Sequence, residues 1–585
     1  MKFQKSMRKL IFCIAIGACL ISCEDYLDKV EESAGMQEED VFTNYLNFRQ
    51  FQDRMYQDMH NYLSGGDYSY IAAVTDEGYM TSDWETLPIV QNGDYLRAYN
   101  TGQALQFYGI WDAWESIRII NMSLNNLDRL EDATQEEKDR LKGQAHFMRA
   151  WYYYEFLKRQ GAMPYITKVY KGTDNFALSR PTYHETVMNV QADLDTAATL
   201  LPVRWDPANI GRPTKGAAMA LEAAALLFDA SPNNNPSGDV ERWKAAAEAS
   251  WELIDFAETT GRYKLVESNG TDVVSYITPE GVKEIRYASG FDSIFLYQPV
   301  VDEIIWENYA SVVDNGMDNV FSTPSIMAGG VIQGYSPSVN IVNSFETVNG
   351  LDIEDDPDYD PQNPYVDRDP RFYHSILFNG ERWTSQSGNY LELFNGGEER
   401  TGEPHYSKTG YLARKFWGKN VDQWSGANAP FTHVIYFRLA GILLQYAEAA
   451  NEIGGPDYSI PGASMTAVEA VNKVRARVGM PPVDQRYLTS KESFRERIKN
   501  ERAVELFLEG KRYFDLKRWK DADKLEHRAI YAHDFVEDPS QPTGFRIFKS
   551  EQPIFTLTFE EKHYRWPIPL EDALMYPEFK QNPGW

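Results

Sequence analysis

The chain has 585 residues, of which 43% are hydrophobic, enough to bury a sizeable core as one large unit or several domains. With 86 acidic against 58 basic residues, its formal net charge is −28. Such a surface repels nucleic acid and anionic lipid headgroups, and no Lys/Arg cluster offers a basic groove.

The first 22 residues read as an export signal. Lys2, Lys5, Arg8 and Lys9 precede an apolar run from Leu10 to Ile21 that is too short for a membrane-spanning helix. Leu20-Ile21-Ser22-Cys23 has the pattern of a lipobox, which predicts cleavage before Cys23 and lipid attachment to that cysteine. More than one acyl chain makes such an anchor stable, at about 0.8 kcal/mol per buried methylene. Cys13 and Cys19 fall in the removed segment, so the mature chain is expected to keep no thiol for a disulfide or a metal. The lipid is then the membrane attachment of an exported protein of a Gram-negative type of envelope.

From residue 23 to 260 the pattern is helical. Leu141, Ala145, Met148, Tyr152 and Phe156 form the i, i+4, i+7 stripe of an amphipathic helix that stops at Gly161-Ala162-Met163-Pro164. Comparable patterns cover about 40–62, 110–131, 183–200, 214–229 and 239–259. Short linkers predict antiparallel helical pairs, and hence a mainly α, tetratricopeptide-like scaffold, although no clean 34-residue repeat is visible. Between 261 and 430 Gly, Pro, Asn and Asp become dense and helical periodicity fades, which predicts a loop-rich ligand-binding subdomain. Helices return at about 431–453, 465–478 and 489–510, within a C-terminal region 431–585.

The returning helices carry a recognisable string. Phe437-Arg438-Leu439 through Tyr446-Ala447-Glu448-Ala449-Ala450-Asn451-Glu452 is followed by Val471-Asn472-Lys473-Val474-Arg475-Ala476-Arg477-Val478-Gly479. Next come Glu501-Arg502-Ala503-Val504-Glu505-Leu506, Lys511-Arg512-Tyr513-Phe514-Asp515-Leu516-Lys517-Arg518-Trp519 and the final Gln581-Asn582-Pro583-Gly584-Trp585. With Cys23-Glu24-Asp25-Tyr26-Leu27-Asp28, Ala145-His146-Phe147-Met148-Arg149-Ala150-Trp151 and Arg368-Asp369-Pro370-Arg371-Phe372, the mature chain resembles the SusD/RagB family of outer-membrane nutrient-binding lipoproteins along its whole length. The resemblance implies glycan capture at the cell exterior beside a SusC-like TonB-dependent transporter, with no bond broken and no cofactor. The charged members of the string (Glu501, Arg502, Glu505, Arg512, Asp515 and Arg518) have spacings suited to ion pairs, and are read as architecture.

A sugar offers an apolar face and a rim of hydroxyls, so its site needs exposed flat aromatics with polar neighbours. The loop between the first two helices has that mixture, and the resemblance points to it: Asp76, Trp84, Tyr95, Tyr99 and Asn100 are the leading candidates. Phe291, Tyr297 and Tyr335 are candidates from the region 287–336, whereas Trp306 in Glu303-Ile304-Ile305-Trp306-Glu307 reads as a buried strand. Asp356, Asp358 and Asp360 have the i, i+2, i+4 spacing of a calcium loop, but Pro361 stands where the turn glycine belongs, and a solvated acidic turn is the better reading. Peptide cargo on the same architecture, and a glycoside hydrolase using two loop carboxylates, remain as alternatives.

Overall fold

The computed structural model describes residues 38–59, 71–81, 86–100, 109–175, 177–296, 301–308, 334–382, 390–400, 407–416, 434–575 and 578–585. Helices dominate. Helix α1 (Tyr45–Asp53) is followed by α2 (Ala113–Asn126), α3 (Gln135–Arg159), α4 (Tyr183–Leu200), α5 (Lys215–Ala230) and α6 (Val240–Thr260). Three of the helix starts in this protein are written locally as Thr-x-x-Glu. Thr134 with Glu137 opens α3, Thr182 with Glu185 opens α4, and each side chain satisfies an end N–H of the other's turn. Gly261, at φ +63°, ends α6 in the left-handed conformation that favours glycine.

Successive helices pack side by side, α3 on α4, α4 on α5 and α5 on α6, the tetratricopeptide-like arrangement expected from their short linkers. Helix α5 is alanine-rich on its buried faces, which lets its neighbours approach closely. At Gly216 a Cβ would lie 2.4 Å from the Tyr263 hydroxyl, so this helical position tolerates no side chain.

The segment 261–430 contributes short antiparallel elements. A hairpin joins β2 (Thr271–Thr278) to β3 (Gly281–Ala288), and β1 (Gly78–Thr81) pairs with β5 (Gly334–Pro337), Met80 facing Tyr335. Strand β4 (Ile304–Asn308) pairs with β6 (Val434–Arg438), and helix α7 (Pro370–Ser375) packs near β3. The helix expected from about 431 therefore starts at Leu439: the β-branched and aromatic Val434-Ile435-Tyr436-Phe437 run is a buried strand. Trp306 is buried in β4 as expected, edge-on to Phe147 and Trp151.

Helices α8 (Leu439–Gly454), α9 (Ala467–Ala476, opened by the third such box, Thr466 with Glu469) and α10 (Lys491–Glu505) complete the scaffold. Packing of α6 on α8 joins the two helical halves, and one continuous apolar core runs through both halves and the segment between them. Helix α11 (Arg512–Trp519), the hairpin β7 (His533–Glu537)–β8 (Phe545–Lys549) and α12 (Leu570–Met575) follow.

Candidate functional site

Four of the residues expected to touch ligand are interior. Asp76 accepts two hydrogen bonds from the Arg512 guanidinium, at 2.9 and 2.7 Å, and lies 2.6 Å from His527 Nδ1. Burial alone would raise its pKa, but Arg512 and His527 hold the carboxyl well below the usual range. Tyr95 is 2% exposed and stacks on Trp585 at 5.8 Å, fastening the end of the chain to the N-terminal half. Phe291 is packed against Phe295 with the Arg477 guanidinium over its ring at 4.9 Å. Tyr335 is fully buried against Gly78 across the β1–β5 pair. The expectation for these four is corrected: each ring or carboxylate is covered by the protein itself. Tyr99 and Asn100 end a short helix, Tyr95–Asn100, but their side chains lie outside the described residues, as do Trp84, Tyr297 and Cys23.

The family string is architectural, on a longer range than helix-face pairing. Glu505 is met by Arg371, Arg438 and Arg477, and Glu303 by Arg438 and Arg477 at 2.8 and 3.0 Å. Burial would raise the pKa of Glu505, yet these three guanidiniums hold it well below the ordinary value. Arg371 also reaches Glu501 at 2.6 Å, and Arg502 and Arg518 share Asp515. The partners come from α7, α10, α11, β6 and the residue that caps α9, so the motif clamps elements distant in sequence.

Half-buried aromatics gather elsewhere. An open cleft of about 330 Å³ lies between the face of α2, the extended segment after α3 and the C-terminal residues. Along α2, Trp114, Ile117, Arg118 and Asn121 recur at helical spacing on one face, with Trp111 one turn earlier. Opposite them Pro164, Ile166, Lys168 and Tyr170 alternate along extended chain, which brings every second side chain to the same side. Gly161, at φ +87°, turns the chain from α3 into this segment.

The floor is rigid. Trp114 stacks on Phe156 at 4.7 Å, and Trp111 stands edge-on to Trp114 (5.9 Å) and Phe579 (6.2 Å). Trp111 Nε1 donates to Asp572 Oδ2 at 2.8 Å, which fixes the indole plane. Asn121 is bound on both sides, donating to the Ile166 carbonyl and accepting from Arg149. At the rim, Arg118 Nη1 donates to the Tyr170 carbonyl at 2.9 Å, and Lys168 Nζ sits 4.3 Å from the centre of the Tyr170 ring. The volume is at the low end of the roughly 300–1,000 Å³ of ligand sites, room for one or two sugar rings. Asp572 is the single carboxylate among the described lining residues, whereas glycoside hydrolysis requires two. Sequence periodicity shows α2 as amphipathic; the usable signal was two tryptophans and an arginine on one stripe.

A second open cleft, about 550 Å³, is lined by Asn340, Asn343, Asn500, Asp352 and Tyr487. It offers hydrogen bonds, but the Arg497 guanidinium lies 4.4 Å from the centre of its one aromatic ring. The acidic turn is likewise self-contained. Asp356 accepts from Thr347, Asn349 and the Asp358 N–H, and Asp360 from the Gln362 N–H, so these carboxylates cap turns. Among the described residues the atoms that converge are those of Asp272, Asp292 and His374, within 4.8 Å of one another. That set holds an imidazole, unlike the all-oxygen set calcium takes.

A mainly helical scaffold of packed pairs, interrupted by short antiparallel strands, is the fold these residues build. Comparison with known proteins agrees. Residues 302–585 match the model of the SusD family, and residues 25–227 match one described as starch-binding associating with outer membrane. The chain belongs to the SusD/RagB family. SusD-like protein P2 of Formosa agariphila is 26% identical over 70% of both chains. A SusD-like protein of Bacteroides fragilis superposes with a TM-score of 0.73 at 23% identity, covering 94% of this chain and 99% of that one. A structure titled laminarin-binding SusD-like protein gives 0.60 at 18% identity, covering 93% and 100%. Among the described residues no helix is long and apolar enough to cross a membrane.

Proposed function

We propose that this protein is a cell-surface lipoprotein, anchored through Cys23, that binds an oligo- or polysaccharide and delivers it to a SusC-like TonB-dependent transporter without cleaving it. The observation that carries the reading is the Trp111–Trp114 cleft: two rigid indoles, an apolar floor and a polar rim fit the two faces of a pyranose ring. Membership of a glycan-binding family supports it, as does the structural neighbour described as laminarin-binding. Trp84, Tyr99, Asn100 and Tyr297 stay within the proposal as further ligand contacts. Water-bridged hydroxyl contacts make modest affinity the expectation, with avidity supplied by tethering next to the transporter.

Affinity electrophoresis and calorimetry against a polysaccharide panel test this. Retardation by at least one glycan that is lost in Trp111→Ala is the expected result. Binding of peptides with no glycan response overturns it in favour of peptide cargo, and release of reducing ends by the purified protein overturns the non-enzymatic reading. Fractionation of cells producing Cys23→Ala should move the protein from membrane to soluble fractions.

A further inference from the structure

The rim of the Trp111–Trp114 cleft differs in charge from the rest of the molecule. The chain has 28 more acidic than basic residues, and several of its buried cations are matched to carboxylates, as at Arg371, Arg438 and Arg477. Arg118 and Lys168, both exposed, line the same cleft from opposite walls, and neither has a carboxylate within 4.0 Å among the described residues. Tyr170 holds both in place: its carbonyl takes Arg118 Nη1, and its ring faces Lys168 Nζ. The one lining carboxylate, Asp572, accepts from Trp111 Nε1.

The cleft therefore presents two positioned cations above aromatic faces, on a protein whose overall field repels anions. That field falls off within about 8 Å at physiological ionic strength, so contact charges decide what the site accepts. A guanidinium with one donor fixed on the protein is pre-organised to give its other N–H groups to a carboxylate or sulfate, and an ammonium beside it adds a second charge. Neutral sugars use the indoles equally well but leave these cations to water.

We propose that the cleft selects acidic saccharides, those bearing uronate or sulfate groups, with Arg118 and Lys168 as the specificity-determining residues and Trp111 and Trp114 as the stacking platform. This rests on the reading of the cleft as a saccharide site. The test uses the full mature protein and tetrasaccharides containing glucuronate, galacturonate, mannuronate or sulfated hexose, each against its carboxyl-reduced or desulfated counterpart, so that length and linkage are matched. Titration calorimetry at low and high salt should show the acidic member of at least one pair binding about tenfold more tightly at low salt, with the ratio shrinking as salt rises. In the double variant Arg118→Gln/Lys168→Gln the ratio should fall to about one, while Lys283→Gln, on the β2–β3 hairpin, leaves it unchanged.

Equal binding within every pair, with Trp111→Ala still abolishing it, overturns the charge selection but leaves the saccharide site standing. A ratio that persists in the double variant also overturns the assignment of Arg118 and Lys168. Failure of every pair, together with polysaccharide binding that Trp111→Ala does not alter, overturns the reading of the cleft and the selection with it. Circular dichroism of the double variant, whose altered side chains are exposed, verifies that its fold is intact.

Discussion

The C-terminal core and the rim of the cleft use the same residue type in opposite ways. Around Glu505, three arginines are buried and every one is answered by carboxylates of the protein itself. At the cleft, Arg118 is exposed and its fixed partner is a carbonyl. Aromatic rings divide in the same way: Tyr95 and Phe291 have their faces covered by Trp585 and Arg477, whereas Trp111 and Trp114 line an open volume. Where the chain supplies the partner, a conspicuous residue holds the fold; where it leaves the place open, the residue is available to a ligand.

The contrast is broken most severely at Glu505. Glu505→Ala leaves Arg371, Arg438 and Arg477 buried around an absent charge and should cost about 3–5 kcal/mol, read as a lower denaturation midpoint. Next comes Tyr95→Ala, expected to lose about 3 kcal/mol through the cavity beneath Trp585, with glycan affinity of the folded fraction kept within twofold. If Tyr95→Ala abolished binding without destabilising the protein, its assignment to the core would fail.

Glu77 sharpens the comparison by pH. Burial raises its pKa from 4.5 to about 8, against one hydrogen bond from the Leu508 N–H and with repulsion from Asp76. The unfolded chain loses this proton near pH 4.5 and the folded protein keeps it to about 8, so the full contribution of the neutral carboxyl is present below 4.5 and is lost as pH rises through that window. Glu77→Gln should flatten that slope, gaining on the order of 3 kcal/mol at pH 8 relative to pH 5. Thermal midpoints of both proteins across pH 4.5–8 measure it; parallel curves would mean that Glu77 is ionised in the fold. Smallest in stability is Trp111→Ala, expected to change folding by about 1 kcal/mol while weakening glycan binding at least about tenfold.

Much of the fold was legible. The helical stripes, the short linkers and the stop at Gly161 place most of the scaffold helices to within a few residues, because periodicity acts locally. The charged string at 501–518 was identified as architecture, but its partners Arg371, Arg438 and Glu448 come from other elements and no spacing rule reaches them. The candidate site was harder to see. A tyrosine in a polar loop looks exposed, and only the paired strands around Tyr335 and the returning chain end over Tyr95 show otherwise. Conversely, the stripe Trp114-Ile117-Arg118-Asn121 reads as a helix face to be buried, and its open neighbour is set by the turn at Gly161, far along the chain.

The hydrogen bond from Trp111 to Asp572 joins residues 461 positions apart. The aromatic floor and the C-terminal residues that complete the cleft therefore meet only when distant parts of the chain are brought together. A ligand bound there would favour the docked arrangement of Asp572 and Phe579 by mass action.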